Sequence, residues 1–304
     1  VLICLRIRLI KLVCLEKGAL IMSKAYDIIT DRIITELEKG VVPWRKPWNT
    51  AGMSKNLISG KTYQGVNAIM TNLQSFNSEY WLTFKQCQKL KGKIAKGSKA
   101  TPIIFWKFLD GKVNEETGKA DKIPMLKYSN VFNVCQTEGI DYPKPQTNTT
   151  EFTQIASAEK ILEELPLGMP KVFHEEQRAY YSPGQDIINM PKKESFAKTP
   201  EYYSTLFHEL THSTGHKDRL NRDGVAGEIS FGPNCYSKEE LIAEIGASFL
   251  NGESGIMHKT IDNSTAYIKS WLSKLKGDKK LLITASGKAQ KAVNYIRNIT
   301  YDNK

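Results

Sequence analysis

The pentad His208-Glu209-Leu210-Thr211-His212 constrains this chain more than any other stretch. Histidines four residues apart lie on one helix face, one turn from each other, so both imidazoles can reach a single ion. Glu209 adjoins the first histidine and points toward the same opening. A carboxylate there can take a proton from an activated water and return it to a leaving amine. A bound ion helps by lowering the water pKa toward ~7. The expected cofactor is one Zn2+ ion, held by His208 and His212, with Glu209 as the catalytic residue. The plain alternative is a solvated helix face, because a bare HExxH recurs by chance.

The flanking residues favour the metal reading by specifying a helix. Thr199 can cap it, Pro200 suits its first position, and Glu201 complements its positive end. Leu206, Phe207 and Leu210 supply a buried face, and Gly215 can end the helix in a left-handed conformation. His216 reads as a surface residue or as one that supports the ligands from behind.

A third ligand must come from downstream. Glu240 and Glu244 stand i, i+4 at the start of another helical pattern. In one arrangement Glu240 binds the metal and Glu244 orients a histidine through its other nitrogen. Alternatively, Ser237 and Glu240 form a capping box, which leaves Glu244 as the ligand. Asp218 is a further candidate, since residues 208–218 read HExxHxxGxxD. Residues 181–191 (YSPGQDIINMP) precede the helix and can supply an edge strand for an extended peptide.

Charge adds a second theme. The formal net charge is +11, which favours an acidic partner such as nucleic acid. Between Met22 and Gln146 basic residues outnumber acidic ones and alternate with aromatics. The candidates for binding DNA are Trp44, Arg45, Lys46, Trp48, Lys61, Tyr63, Trp81, Lys85, Lys96 and Lys99; Phe105, Trp106 and Lys107 repeat the pattern. Single-stranded nucleic acid suits this mixture, because bases stack on rings while cations track the backbone. The alternative places the tryptophans in a core and the lysines on a solvated surface.

The fold class is α+β, in two domains. Helical spacing over 25–38, 67–73 and 83–90 is followed by a strand over 102–109, a charged hairpin loop over 112–122 and a returning strand over 128–134. Residues 141–150 (DYPKPQTNTT) resist packing and read as a linker. The domains are therefore 22–145, which would bind single-stranded DNA, and 146–304, which would carry the metal. The second contains helical patterns near 200–214, 237–252, 263–276 and 286–297. Residues 1–21 mix aliphatics with Arg6, Arg8, Lys11 and Lys17, in runs too short to span a bilayer. They read as an over-extended start ahead of Met22, and no membrane partner is expected. Five scattered cysteines without a CxxC pair suggest reduced thiols in a cytoplasm.

Several long segments in order carry a family resemblance. They are GVVPWRKPW (40–48), SGKTYQGVNAIM (59–70), WLTFKQ (81–86), NVFNVCQTEGI (130–140), YYSTLFHELTHSTGHKDRLNR (202–222) and YSKEELIAEIGASFL (236–250). Together they resemble the ArdC-type antirestriction proteins of conjugative plasmids and other mobile elements. The N-terminal part is also similar to plasmid TraC primases. The resemblance implies an N-terminal domain that binds single-stranded DNA, a C-terminal zincin-like metallopeptidase domain, and protection of incoming DNA during transfer. It makes His208 and His212 the zinc histidines, Glu209 the catalytic acid and Glu240 the third ligand. A host protein would be the substrate of an active peptidase; otherwise the chain coats DNA and its zinc site is structural or vestigial. Primase activity lacks support, because no carboxylate constellation for nucleotidyl transfer is present.

Overall fold

The computed structural model describes residues 24–45, 53–74, 76–113, 120–144, 151–226, 233–256 and 265–299. Residues 24–38 form α1. Its Ala25, Ile29, Ile33 and Leu37 are fully buried and lie four residues apart, a stripe down one face. Gly40, at φ +84°, ends this helix: its N–H reaches Leu37 O, and that of Val41 reaches Glu36 O. Both bonds satisfy carbonyls that a helix end leaves open.

The N-terminal half continues with β1 (Lys55–Asn56), α2 (Val66–Asn72), β2 (Tyr80–Thr83), α3 (Phe84–Lys89), β3 (Lys93–Ile94), β4 (Thr101–Val113), β5 (Ala120–Asn133) and β6 (Thr137–Glu138). One sheet runs β1-β2-β5-β4, and β3 pairs with β6. Thr83 caps α3 in a reciprocal box, each of Thr83 and Gln86 accepting the other's backbone N–H. The two long strands outrun their predicted ends. Asp110 pairs with Lys122, and Val113 with Ala120 across a register shift, so much of the expected loop is ribbon. Charged residues do not stop a strand pair that meets water.

The C-terminal half contains α4 (Glu151–Glu163), β7 (Lys171–Phe173), β8 (Tyr180–Ser182), β9 (Ile187–Asn189), α5 (Thr199–Ser213), α6 (Asp223–Ala226), α7 (Pro233–Ser254), α8 (Thr265–Gly277) and α9 (Leu281–Ile296). Its sheet runs β7-β9-β8, which leaves β8 at an edge. Residues 181–191 are therefore no single strand. They turn back through Asp186 at φ +52°, and β8 pairs antiparallel with β9.

One hydrophobic interior joins the halves: Ile29, Trp44, Met70 and Leu126 belong to the same buried cluster as Phe207, Leu210, Phe249 and Val293. It continues across the boundary expected at 145–146. Residues 145–150 of the expected linker lie outside the described residues, as do 1–21. Among the described residues no helix is long and apolar enough to cross a membrane. Cys87, buried, and Cys135, exposed, are free thiols.

Helices α5 and α7 meet at one unusually close point. A Cβ on Gly246 would lie 2.5 Å from Cγ2 of Thr211, a fully buried side chain that cannot swing away. Gly246→Ala is expected to push the helices apart at a cost of about 1–3 kcal/mol. Thermal unfolding with and without divalent metal checks this, since the same displacement would spoil the site between these helices.

Candidate metal centre

Helix α5 opens at Thr199 with Pro200 in its first turn, and no side chain caps it; the residue ahead is Lys198. Thr199 is thus inside the helix rather than its cap. Pro200 is tolerated because the first-turn N–H groups lack partners anyway. Leu206, Phe207 and Leu210 face the core as expected. Gly215 is not left-handed, contrary to its expected role as a terminator. Its backbone is instead closely approached: a Cβ there would sit 2.6 Å from Val225 Cγ2 and 3.0 Å from Arg222 Nη2. The missing side chain lets the chain fold back and bring Arg222 under α5.

Three donors converge between α5 and α7. His208 Nε2 lies 3.1 Å from His212 Nε2. Glu240 places Oε2 3.5 Å from the first and Oε1 3.3 Å from the second. Four ligands at ~2.05 Å around a tetrahedral ion stand about 3.3–3.4 Å apart, so the spacing fits a shared ion. Two nitrogen lone pairs and a carboxylate at this range repel one another unless positive charge lies among them. The three side chains are half-buried and form a group able to hold a metal.

The charges around the histidines favour positive charge at this point. Burial works against charge on Glu240, yet the two histidines hold its carboxyl well below the usual range. Burial likewise opposes the charged form of His212, but Glu239 and Glu240 outweigh it and push the imidazole up to about 10. Glu209 is buried, and that burial lifts its carboxyl above the usual value. His212, His208 and a backbone hydrogen bond with Tyr181 oppose the rise. A raised carboxyl is the better proton acceptor near neutrality.

Sequence reasoning missed Glu239 and Arg222. Glu239 Oε1 faces the other ring nitrogen of His212, at 3.5 Å. Arg222 grips the same carboxylate with Nε at 3.0 Å and Nη2 at 2.5 Å, and also reaches Thr214 Oγ1 and Thr211 O. This buried fork sets the ring orientation of His212. The signal was the doublet Glu239-Glu240; the i, i+4 pair drew attention away from it.

Glu244, expected to orient a histidine or replace Glu240, is not among the converging donors. Its oxygens accept from Trp44 Nε1 at 2.9 Å, Arg45 Nη2 at 2.7 Å and the Tyr267 hydroxyl at 2.5 Å. Ser237 lies inside α7, which begins at Pro233, so no capping box starts there. Asp218 is exposed and stands 3.5 Å from His216 Nδ1, not beside the pair. His216 is buried, which excludes the surface reading of the two it allowed.

The edge strand is tied to this centre. Arg219, whose side chain is buried, binds both oxygens of Asp186, the Tyr181 hydroxyl at 3.0 Å and Ser213 O at 2.7 Å. The turn after β8 is thus fastened to the end of α5.

The residues expected to bind DNA divide. Trp44 and Trp81 are each 1% exposed and cannot stack on bases. Trp44 packs edge-on against Trp271, and Arg45 lies over the Tyr267 ring at 4.0 Å while paired with Glu244. Apolar rings of that size fill the interior unless something forces them out. Tyr63 is half-buried, and Lys61, Lys85, Lys96 and Lys99 are exposed. Lys46 and Trp48 lie outside the described residues.

Comparison with known proteins gives this geometry a class. Residues 156–288 match the family of zincin-like metallopeptidases, and residues 23–132 match the N-terminal domain of anti-restriction factor ArdC. The chain superposes on the crystal structure of the metal-free antirestriction protein ArdC from plasmid R388 with a TM-score of 0.70. The two are 35% identical over 90% of this chain and 97% of that one. For the Mn(II)-bound form of that protein the values are 0.69, 33%, 92% and 99%. The chain is also 34% identical to a DNA primase TraC of Escherichia coli over 89% of its own length. It spans only 27% of that primase and 20% of a second TraC, at 31% identity. The fold and the two matched regions define an α+β protein with an ArdC-type N-terminal domain and a zincin-like metallopeptidase domain. The chain belongs to the ArdC family of antirestriction proteins.

Proposed function

We propose that this chain protects incoming DNA of a mobile element by binding single-stranded DNA through its N-terminal half and cleaving a host protein with its C-terminal half. The convergence of His208, His212 and Glu240 beside a buried Glu209 carries the peptidase reading. These three residues would hold one divalent ion, assigned as Zn2+ because two imidazoles and a carboxylate suit it. The Mn(II)-bound form of the R388 protein supports a divalent site. When bound, the ion supplies Lewis-acid polarisation and activates water. Glu209 accepts the proton and passes it to the leaving amine. Glu239, held by Arg222, keeps His212 turned toward the site. The edge strand β8 would take the peptide in extended form, and its anchor through Arg219 keeps it beside Glu209. The basic, aromatic N-terminal half supports DNA binding, and cleavage would occur in the cytoplasm where transferred DNA meets restriction.

Glu209→Gln tests the chemistry. It is expected to retain metal and DNA while slowing peptide hydrolysis by about 100-fold or more. If that variant still protects DNA fully, proteolysis is not the protective mechanism and the chain acts by coating DNA.

A further inference from the structure

The largest exposed aromatic surface among the described residues is neither at the metal centre nor at the tryptophans expected to bind DNA. It lies on the ribbon of β4 and β5. Phe105 is 43% exposed, Trp106 48% and Phe108 60%. Ile123, opposite on β5, is 41% exposed.

The ribbon's geometry explains this. β2 pairs with β5 only from Val131 to Asn133, so farther out β4 and β5 form a two-stranded arm. Asn67 pins its base: its Nδ2 donates to Ile104 O at 2.7 Å, and Ile104 N–H donates to its Oδ1 at 2.8 Å. Ile104 and Leu126 are still buried; one residue beyond Ile104 the rings emerge. Directly paired residues share a face. One face carries Phe105 opposite Lys127 and Lys107 opposite Met125; the other carries Trp106 opposite Leu126 and Phe108 opposite Pro124. Lys107 and Lys127 have no ion-pair partner among the described residues. The exposed Lys96 and Lys99 lie on the turn that leads into β4. From Lys99 to Lys107 the track runs about 25 Å along the strand.

Rings exposed in this density mark a contact site. The charge on this arm names the occupant, because Phe105, flanked on its own face by the unpaired Lys107 and Lys127, matches a base flanked by phosphates. We infer that the β4–β5 arm is the surface that takes single-stranded nucleic acid. A base stacks on Phe105 while Lys107 and Lys127 on the same face contact phosphates, and Trp106 and Phe108 offer stacking rings where the strand crosses to the opposite face. This assignment rests on the single-stranded DNA reading above and moves it from Trp44 and Trp81 to the ribbon.

The test is binding of an oligothymidylate to the full chain across a salt series, for the wild type, F105A/W106A and K107A/K127A. All four side chains lie outside the core, and an unchanged thermal midpoint with retained metal binding checks folding. Phe108→Ala, the most exposed ring, stands in if the aromatic pair unfolds. The aromatic variant is expected to bind about tenfold more weakly or worse. The lysine variant is expected to reduce the salt slope by about 1.4, the value for two phosphate contacts on a single strand. If the wild type binds and both variants match it, the arm is not the site, although the DNA reading stands. If the wild type itself fails to bind, the DNA reading and this assignment fall together. Variants that keep DNA affinity but change the oligomeric state would make the arm a contact between copies of the chain, which also overturns the assignment.

Discussion

Arg222→Ala is expected to lower the thermal midpoint by roughly 10 °C, far more than loss of any surface cation. The side chains of Arg222 and Glu239 are 5% and 6% exposed, and they meet through two hydrogen bonds. Removing the guanidinium leaves a buried carboxylate facing only His212, a change that costs about 3–5 kcal/mol. Arg222 also satisfies Thr214 Oγ1 and Thr211 O, so the end of α5 loosens with it. Arg222→Lys restores the charge without the planar fork and should recover only part of the loss. The control is Arg178→Ala. Arg178 pairs with Glu176 at 2.7 Å, but both are well exposed, and such pairs contribute about 0–1 kcal/mol. Equal effects of the two alanine variants on the melting curve would show that the buried fork does not anchor α5 to α7.

Glu240→Ala is expected to reduce divalent metal affinity by more than about 100-fold, beyond the roughly 10–100-fold typical of residues that only orient a ligand. Glu240 supplies an oxygen to each histidine, at 3.5 Å and 3.3 Å, and its removal leaves two imidazoles that cannot close the site. Glu239→Gln should fall in the lower range, because the amide can still face His212 but no longer balances Arg222. Glu244→Ala should leave metal affinity unchanged, since its carboxylate binds Trp44, Arg45 and Tyr267. The measurement is bound metal and its dissociation constant for the three purified variants. Unchanged metal in Glu240→Ala alongside loss in Glu244→Ala would reverse the ligand assignment.

Much of the helical framework was legible because helices are local. The stripe Ala25, Ile29, Ile33, Leu37 announces a buried face within four turns of chain, and Gly40 announces its end. The strands were located but drawn too short, because charged residues read as loop when a ribbon leaves the body. Residues 179–190 read as strand and turn, and the structure resolves them into β8, a turn through Asp186, and a second strand, β9.

The placing of His208 and His212 on one helix face was determined by sequence alone. The spacing of His208 and His212 needs only the pitch of one helix, so no other part of the chain can alter it. The choice among Glu239, Glu240 and Glu244 was not open to such reasoning. All three lie on α7, and which of them faces the histidines depends on how α7 rotates and how closely it seats against α5, where Gly246 approaches Thr211. The same limit applied to the aromatics. Trp44 and Trp106 both sit beside cations in the sequence, yet one fills the shared interior and the other stands on an open ribbon. Composition names the residues able to stack or chelate. Burial depends on contacts between distant segments, and only the tertiary structure decides which of those residues keep a free face.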